Sequence, residues 1–284
     1  VRTRKAGRTS KPLGSLRALR DRRIVVKFGG SLADEPEAAR SLIEDLAGLQ
    51  RAGARPLLVH GGGREISREM ARQGLQPRIV TGLRVTDDAT MRVVERVLGG
   101  LNTQFVQALR AQGAKARGFA GRTATIFRCS AAPPVRLDAQ SDDVDLGFVG
   151  EIVEVVPSAL RKALEDGVIP VVAPIGIGPN GYPHNLNADT AAGSLAGALG
   201  AEAFVLLSDV PGLLVAGEPV QNVSLSELDA LRESGGITGG MLPKVAACET
   251  AVRAGVPSAR IVDGRVPHAL RRVLIGEDLG TVLQ

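Results

Sequence analysis

The feature that most constrains this chain is a repeated local grammar: a short apolar run, then glycines, then a stretch with helical spacing. Ile24 to Phe28 leads into Gly29-Gly30. Residues 37–52 place Ala39, Leu42, Ile43, Leu46 and Leu49 on one helical face and stop at Gly53, and Pro56 to Val59 then runs into His60-Gly61-Gly62-Gly63. Buried runs alternating with amphipathic segments mark parallel strands, which need crossover helices because no tight turn can join them. The same reading predicts helices at Arg64–Gln73, Asp88–Leu98 and Thr103–Gln112, strands at Lys115–Phe119 and Thr125–Cys129, and a proline-containing loop or hairpin from Ser130 to Leu146. After Gly150 it predicts a strand at Ile152–Val156, a helix capped by Ser158 and a strand at Ile169–Pro174. Further segments follow at Ala188–Leu199, Phe204–Leu207, Leu225–Glu233, Met241–Ala254, Arg260–Val262 and Pro267–Leu274. The expected fold is α/β, an open, mainly parallel sheet sandwiched by helices. No linker of the kind that separates independent domains is visible, so residues 24–284 read as one domain of two lobes, 24–180 and 181–284.

Charge and cysteine content exclude several functions. The net charge of +5 is concentrated in residues 1–23, which hold nine Lys or Arg against one acid, Asp21; the remainder has 26 basic and 29 acidic residues. A body of net charge −3 does not resemble a nucleic-acid-binding domain, and the basic extension is expected to be disordered or, over Leu16 to Arg23, partly helical. Apolar runs such as Val168 to Ile177 are far shorter than the roughly 20 residues that cross a bilayer. Cys129 and Cys248 lack the spacing of a zinc or redox pair, which favours structural thiols in a reduced, cytoplasmic protein.

Four motifs carry chemistry. In Lys27-Phe28-Gly29-Gly30-Ser31 a lysine sits near the end of a buried strand, where it either reaches an anion or snorkels to solvent beside glycines that serve only a turn. His60-Gly61-Gly62-Gly63 places three glycines between a strand and an immediate helix, more than a turn requires, and exposes N–H donors for an anion. In Asn185-Leu186-Asn187-Ala188-Asp189 the alternation points both asparagines and Asp189 the same way; Asp189 either caps the following helix or holds lysines across a cleft. Gly239-Gly240-Met241-Leu242-Pro243-Lys244 puts a lysine in the first turn of a helix, where the helix dipole disfavours a cation unless it shares an anion there. Ser208-Asp209 adds a turn at the same edge of the sheet, the edge where open α/β sheets bind ligands.

Two patterns point elsewhere and fail on context. The HGGG run and Gly29-Gly30-Ser31-Leu32-Ala33 evoke a serine hydrolase, but they occur in the wrong chain order and Ala33 stands where an elbow needs glycine. Gly176-Ile177-Gly178-Pro179-Asn180-Gly181 matches a dinucleotide fingerprint yet reads as a hairpin turn, since no helix follows it.

In this order, with Gly82-Leu83-Arg84-Val85-Thr86-Asp87 and Ile261-Val262-Asp263-Gly264-Arg265-Val266-Pro267-His268, the motifs resemble the amino-acid kinase family, in the branch that acts on N-acetylglutamate. The likeness runs from about Ile24 to Thr281. It implies transfer of phosphate from ATP, carried with Mg²⁺, to the side-chain carboxylate of the substrate, for arginine biosynthesis. It also implies catalytic roles for Lys27, Lys244 and Asp189, substrate binding by Gly62, Gly63, Arg84 and Asn185, and nucleotide binding by Gly29, Gly30, Ser208, Asp209, Gly239, Gly240 and Met241. By the same likeness residues 24–180 are the substrate lobe and dimer interface and 181–284 the nucleotide lobe. A homodimer is the expected assembly, and a hexamer requires a linking N-terminal helix.

No dedicated metal cage is visible and no histidine stands in a catalytic setting, which suits a carboxylate acceptor already ionised at neutral pH. Three departures from the family pattern are Thr103 in place of a lysine, a shortened Gly99–Thr103 segment, and Gly121-Arg122-Thr123 without a Lys-Asp pair; all bear on the acyl group. Val273 near an expected effector-binding acid implies weak or absent inhibition by arginine.

Overall fold

A computed structural model describes residues 14–121, 124–136, 142–215 and 217–284, with Ala33 described through its backbone alone. The readings of residues 1–13 and of Arg122-Thr123 lie outside the described residues.

The central element is an eight-stranded sheet. Its first strands are β1 (Arg23–Phe28) and β2 (Arg55–His60), joined by α1 (Pro36–Arg51). After β2 come α2 (Gly63–Arg72), the hairpin β3 (Ile79–Val80) and β4 (Leu83–Arg84), α3 (Asp88–Ala111) and β5 (Ala116–Phe119). The middle of the chain adds β6 (Phe127–Ala131), β7 (Gly150–Val155), α4 (Ser158–Glu165), β8 (Ile169–Val172), β9 (Ile175–Ile177) and β10 (Pro183–Asn185). The last part comprises α5 (Ala188–Leu199), β11 (Ala203–Ser208), the hairpin β12 (Leu214–Val215) and β13 (Glu218–Pro219), then β14 (Asn222–Val223) and α6 (Leu225–Glu233). It closes with α7 (Met241–Arg253), β15 (Ala259–Asp263), α8 (Ala269–Leu274) and β16 (Thr281–Leu283).

The sheet order is β14-β16-β15-β11-β1-β2-β8-β5. Pairings from β15 through β5 are parallel, and β16 runs antiparallel to β15 at one side. A second sheet, β10-β9-β6-β7, carries the hairpin read at Gly176–Gly181.

Both faces of the main sheet are covered, as the unbroken, largely apolar burial of its central strands requires. Val25, Phe204 and Leu206 pack with α4, α5, α6 and α7, whereas Ile24, Val26, Phe28, Val205 and Leu207 pack with α1, α3 and α8. Gly193 lets α5 and α7 approach closely, because a Cβ there would clash with the Ala247 carbonyl. The parallel strands β1, β2, β11 and β15 end at one edge, and β1 lies between β2, reached through α1 on one face, and β11, which follows α5 on the other, making a crevice there.

Three local expectations change. The helices expected at Asp88–Leu98 and Thr103–Gln112 are one 24-residue helix that runs through Gly99-Gly100. Two interior glycines cost about 1 kcal/mol each, but burial of Val94, Leu98, Val106 and Leu109 on that helix stabilises it by about 1.5–3 kcal/mol per side chain. Ser158 is the first helical residue of α4 rather than its cap; Pro157 takes that place without a side-chain bond. Leu16–Leu19 forms a single 3₁₀ turn, and Arg23 already belongs to β1.

Candidate functional site

A cleft of about 380 Å³ opens at the carboxyl ends of β1 and β2. Strand alternation decides its chemistry. Lys27 is two residues beyond Val25, so it faces the same side of the sheet, the side covered by α5 and α7. There its Nζ lies 2.6 Å from Asp189 Oδ1, while Lys244 Nζ donates a hydrogen bond to Asp189 Oδ2 at 3.2 Å. Lys27 and Asp189 are each 5% exposed. Burial alone pushes the Asp189 carboxyl up, but the charges and hydrogen bonds of Lys27 and Lys244 outweigh it and hold the group below the usual carboxylate range. Asp189 does not cap α5: the Asn187 side chain accepts from the N–H groups of Asp189 and Thr190 and fills that role. The aspartate is thereby released to bridge two lysines that arrive from opposite ends of the sequence.

The glycine turns lie side by side where they line the cleft, with the Gly61 N–H donating to the Phe28 carbonyl at 2.9 Å. A Cβ on Gly30 would stand 3.1 Å from the nitrogens of both Gly62 and Gly63. Among the described residues no carbonyl accepts a hydrogen bond from either of these two N–H groups, so both are open to an anion at the start of α2. Gly62 itself is required by crowding, since a Cβ would come within 2.6 Å of Leu98 Cδ2 and 2.9 Å of Leu101 Cδ1.

Arg84, at the end of the β3–β4 hairpin, is 8% exposed. Its guanidinium donates to the Gly63 carbonyl at 2.8 Å and to Ser67 Oγ at 2.7 Å, and no carboxylate pairs with it among the described residues. Burial lowers its pKa from the usual guanidinium value. A buried guanidinium with donors left over is a ready partner for a carboxylate. Asn185 extends from β10 toward Thr86, whose Oγ1 accepts from its Nδ2 at 3.3 Å. Apolar residues Leu83, Leu98, Val149 and Leu186 complete this end of the cleft.

Of the residues singled out by sequence, Lys27, Gly29, Gly30, Gly62 and Gly63 line this one cleft, as do Arg84, Asn185, Asp189, Ser208 and Lys244. Asp209, Gly239, Gly240 and Met241 lie outside its lining. Asp209 follows directly after Ser208, whose Oγ donates to it at 3.2 Å. Gly240 is the N-cap of α7 and Met241 its first residue, one turn before Lys244. Sequence reasoning missed Ser67 and Thr86, which orient Arg84 and Asn185. Ser67 lies four residues beyond Gly63, on the helical face of the glycine turn, and that spacing was the available signal. None of the three histidines lines the cleft: His60 is fully buried, His184 bonds within the β9–β10 hairpin, and His268 pairs with Asp45.

The model of the amino acid kinase family matches residues 22–263. An acetylglutamate kinase from Sphingopyxis alaskensis is 44% identical over 252 residues, covering 87% of this chain and 83% of the relative. One from Polaromonas naphthalenivorans is 40% identical over 283 residues, covering 99% and 92%. Among solved structures, an N-acetylglutamate synthase from Neisseria gonorrhoeae in complex with coenzyme A and N-acetyl-glutamate superposes with a TM-score of 0.82 at 25% identity. That match covers 94% of this chain, which spans about 60% of the synthase chain's length.

Proposed function

Because the chain belongs to the amino acid kinase family, we propose that it transfers the γ-phosphoryl group of ATP to the side-chain carboxylate of N-acetyl-L-glutamate, forming an acyl phosphate for arginine biosynthesis. The observation that carries this reading is the Lys27–Asp189–Lys244 bridge in one cleft with the open N–H groups of Gly62 and Gly63, with a buried guanidinium at the substrate end that pairs with no carboxylate among the described residues.

In this reading the acceptor carboxylate attacks the γ-phosphorus, its oxygen forming the new P–O bond as the bond to the ADP oxygen breaks. Gly62 and Gly63 receive the oxygens of the reacting end, and Lys27 and Lys244 stabilise the charge on the phosphoryl in flight. Asp189 fixes both ammonium groups. Arg84 takes the substrate's other carboxylate with its planar fork, and Asn185 holds its backbone amide. No general base is needed, since a γ-carboxyl with a pKa near 4.3 is already ionised at neutral pH. The nucleotide lies over Gly29, Gly30, Ser208 and Asp209 and the Gly239–Met241 turn.

Mg²⁺ enters with the nucleotide as part of the substrate; among the described residues no group of three or more His, Cys, Asp or Glu converges to hold a metal of its own. The buried free thiols of Cys129 and Cys248 support a reducing, cytoplasmic setting. Among the described residues no helix is long and apolar enough to cross a membrane. A homodimer would form through the lobe before residue 180, where the groove between α1, α2 and α3 is lined by the partly buried Leu101, Phe105 and Ala108.

The test is hydroxylamine trapping of the acyl phosphate across acyl-glutamate and acyl-aminoadipate substrates. Turnover of acetylglutamate that is lost in Lys27→Ala and in Lys244→Ala supports the reading. Nucleotide binding without turnover of any carboxylate would instead mark a regulatory domain.

A further inference from the structure

The HGGG motif begins with a residue that the phosphoryl-transfer reading leaves unused. His60 ends β2, is fully buried, and its ring packs 5.4 Å from that of Phe105. Its Nδ1 lies 2.9 Å from the carbonyl oxygen of Gly61, and its Nε2 lies 3.2 Å from Nδ2 of Asn102. The same Asn102 Nδ2 lies 2.9 Å from the carbonyl oxygen of Val171 in β8. Asn102 is 3% exposed, and Gly118 makes room for it, because a Cβ at that position would collide with Asn102 Oδ1.

This network has one consistent proton arrangement. A backbone carbonyl can only accept, so the Val171 oxygen fixes the amide NH₂ of Asn102 on its side. The second N–H of that amide then points at His60 Nε2, which must be bare to receive it. The imidazole proton is thereby placed on Nδ1, where it is donated to the Gly61 oxygen. The ring is neutral at physiological pH, since burial pushes its pKa down to about 4. All peptide bonds among the described residues are trans. In a trans unit the N–H points opposite to the C=O, so a Gly61 carbonyl held against the ring turns the Gly62 N–H toward the other side, the cleft.

We propose that His60 and Asn102 are positioning residues: the chain Val171 carbonyl, Asn102 amide, neutral His60, Gly61 carbonyl locks the Gly61–Gly62 peptide so that the Gly62 N–H faces the reacting group. The proposal rests on the reading of Gly62 as a donor to that group. The unbroken α3 carries Asn102 to His60 at the end of β2 and to Val171 in β8.

The tautomer is read first in the wild-type protein by nitrogen-15 NMR of labelled histidine, with the His60→Asn spectrum assigning the signal. Protonated Nδ1 with bare Nε2 at neutral pH supports the clamp, and protonated Nε2 overturns it without any variant having to fold. Kinetics then compare two residues of similar size. Asn at position 60 puts an amide N–H where Nδ1–H stands, whereas Leu puts a methyl group there. His60→Asn is expected to keep kcat within about fivefold, and His60→Leu to lose about 10²-fold, the cost typical of losing one preorganised donor. KM for ATP stays within about twofold in both. Equal losses in the two variants would mean that the ring only packs, and would overturn the proposal. If the wild-type enzyme itself made no acyl phosphate from acetylglutamate, the kinase reading would fail while the histidine signal still reported on the clamp.

Discussion

Replacing Asp189 by Asn removes one negative charge and almost no volume, and the structure sets the scale of the result. The carboxylate lies 2.6 Å from one ammonium and 3.2 Å from the other. At an effective dielectric of about 20 each contact corresponds to about 5–6 kcal/mol of attraction before desolvation. Burial of Lys27 and Asp189 and partial burial of Lys244 offset much of that, and removing one partner of a buried pair typically destabilises by about 3–5 kcal/mol, because charge is left behind without compensation. For a chain of this size 1 kcal/mol moves Tm by about 2 °C, so Asp189→Asn should unfold about 6–10 °C below the wild type. Two lysines no longer held by a shared anion should also lower kcat by about 10²-fold or more. MgATP supplies negative charge at the same place, so saturating nucleotide should recover part of the thermal deficit. Thermal unfolding with and without MgATP, together with hydroxylamine-trapped product, measures all three effects. A variant that melts within about 1 °C of the wild type and turns over within about threefold of it would refute the claim that Asp189 organises the lysines.

The remaining predictions concern the other parts of the cleft. Arg84→Lys keeps the charge but not the fork, and should raise KM for the acylated amino acid about 10- to 100-fold with KM for ATP unchanged, as read from initial rates. Gly62→Ala forces a methyl into Leu98 and Leu101; it should cost about 1–3 kcal/mol in denaturant unfolding and lower kcat far more than KM. Asp189 has a depressed folded-state pKa, so its stabilisation is present above the unfolded value of about 3.9 and is lost as pH falls through the folded value. The Tm gap between wild type and Asp189→Asn should therefore be constant from about pH 5 to 8 and close only below about pH 4. With His60 neutral down to about pH 4 and the acceptor already ionised, kcat should be flat between about pH 6 and 8; a limb near pH 6.5 would point to an ionising histidine in the mechanism.

The strand–glycine–helix grammar identified the α/β class, the crossover helices and the glycine turns, because each depends on residues close together in the chain. It located Lys27 and Lys244 through local oddities, a lysine in a buried strand and a cation at a helix start. The same local view split α3 at Gly99-Gly100, where part of the burial that carries the helix through is contributed by α1 and β8, elements distant in sequence. It left Asp189 open between capping α5 and holding lysines, since both are chemically reasonable for an aspartate at that boundary.

What the sequence by itself determined is thus the set of parts: parallel strands ending in turns that expose N–H groups, two lysines available to an anion, and an aspartate able either to cap a helix or to hold them. Only the tertiary structure decided which of them meet. Face alternation in β1 turned Lys27 toward α5 and α7, Asn187 took the helix cap and freed Asp189, and the unbroken α3 carried Asn102 beneath the glycine turn. Apart from the local Asn187 cap, those are contacts across 55 to 162 residues of chain, and they exist because one sheet gathers the ends of its strands at a single edge.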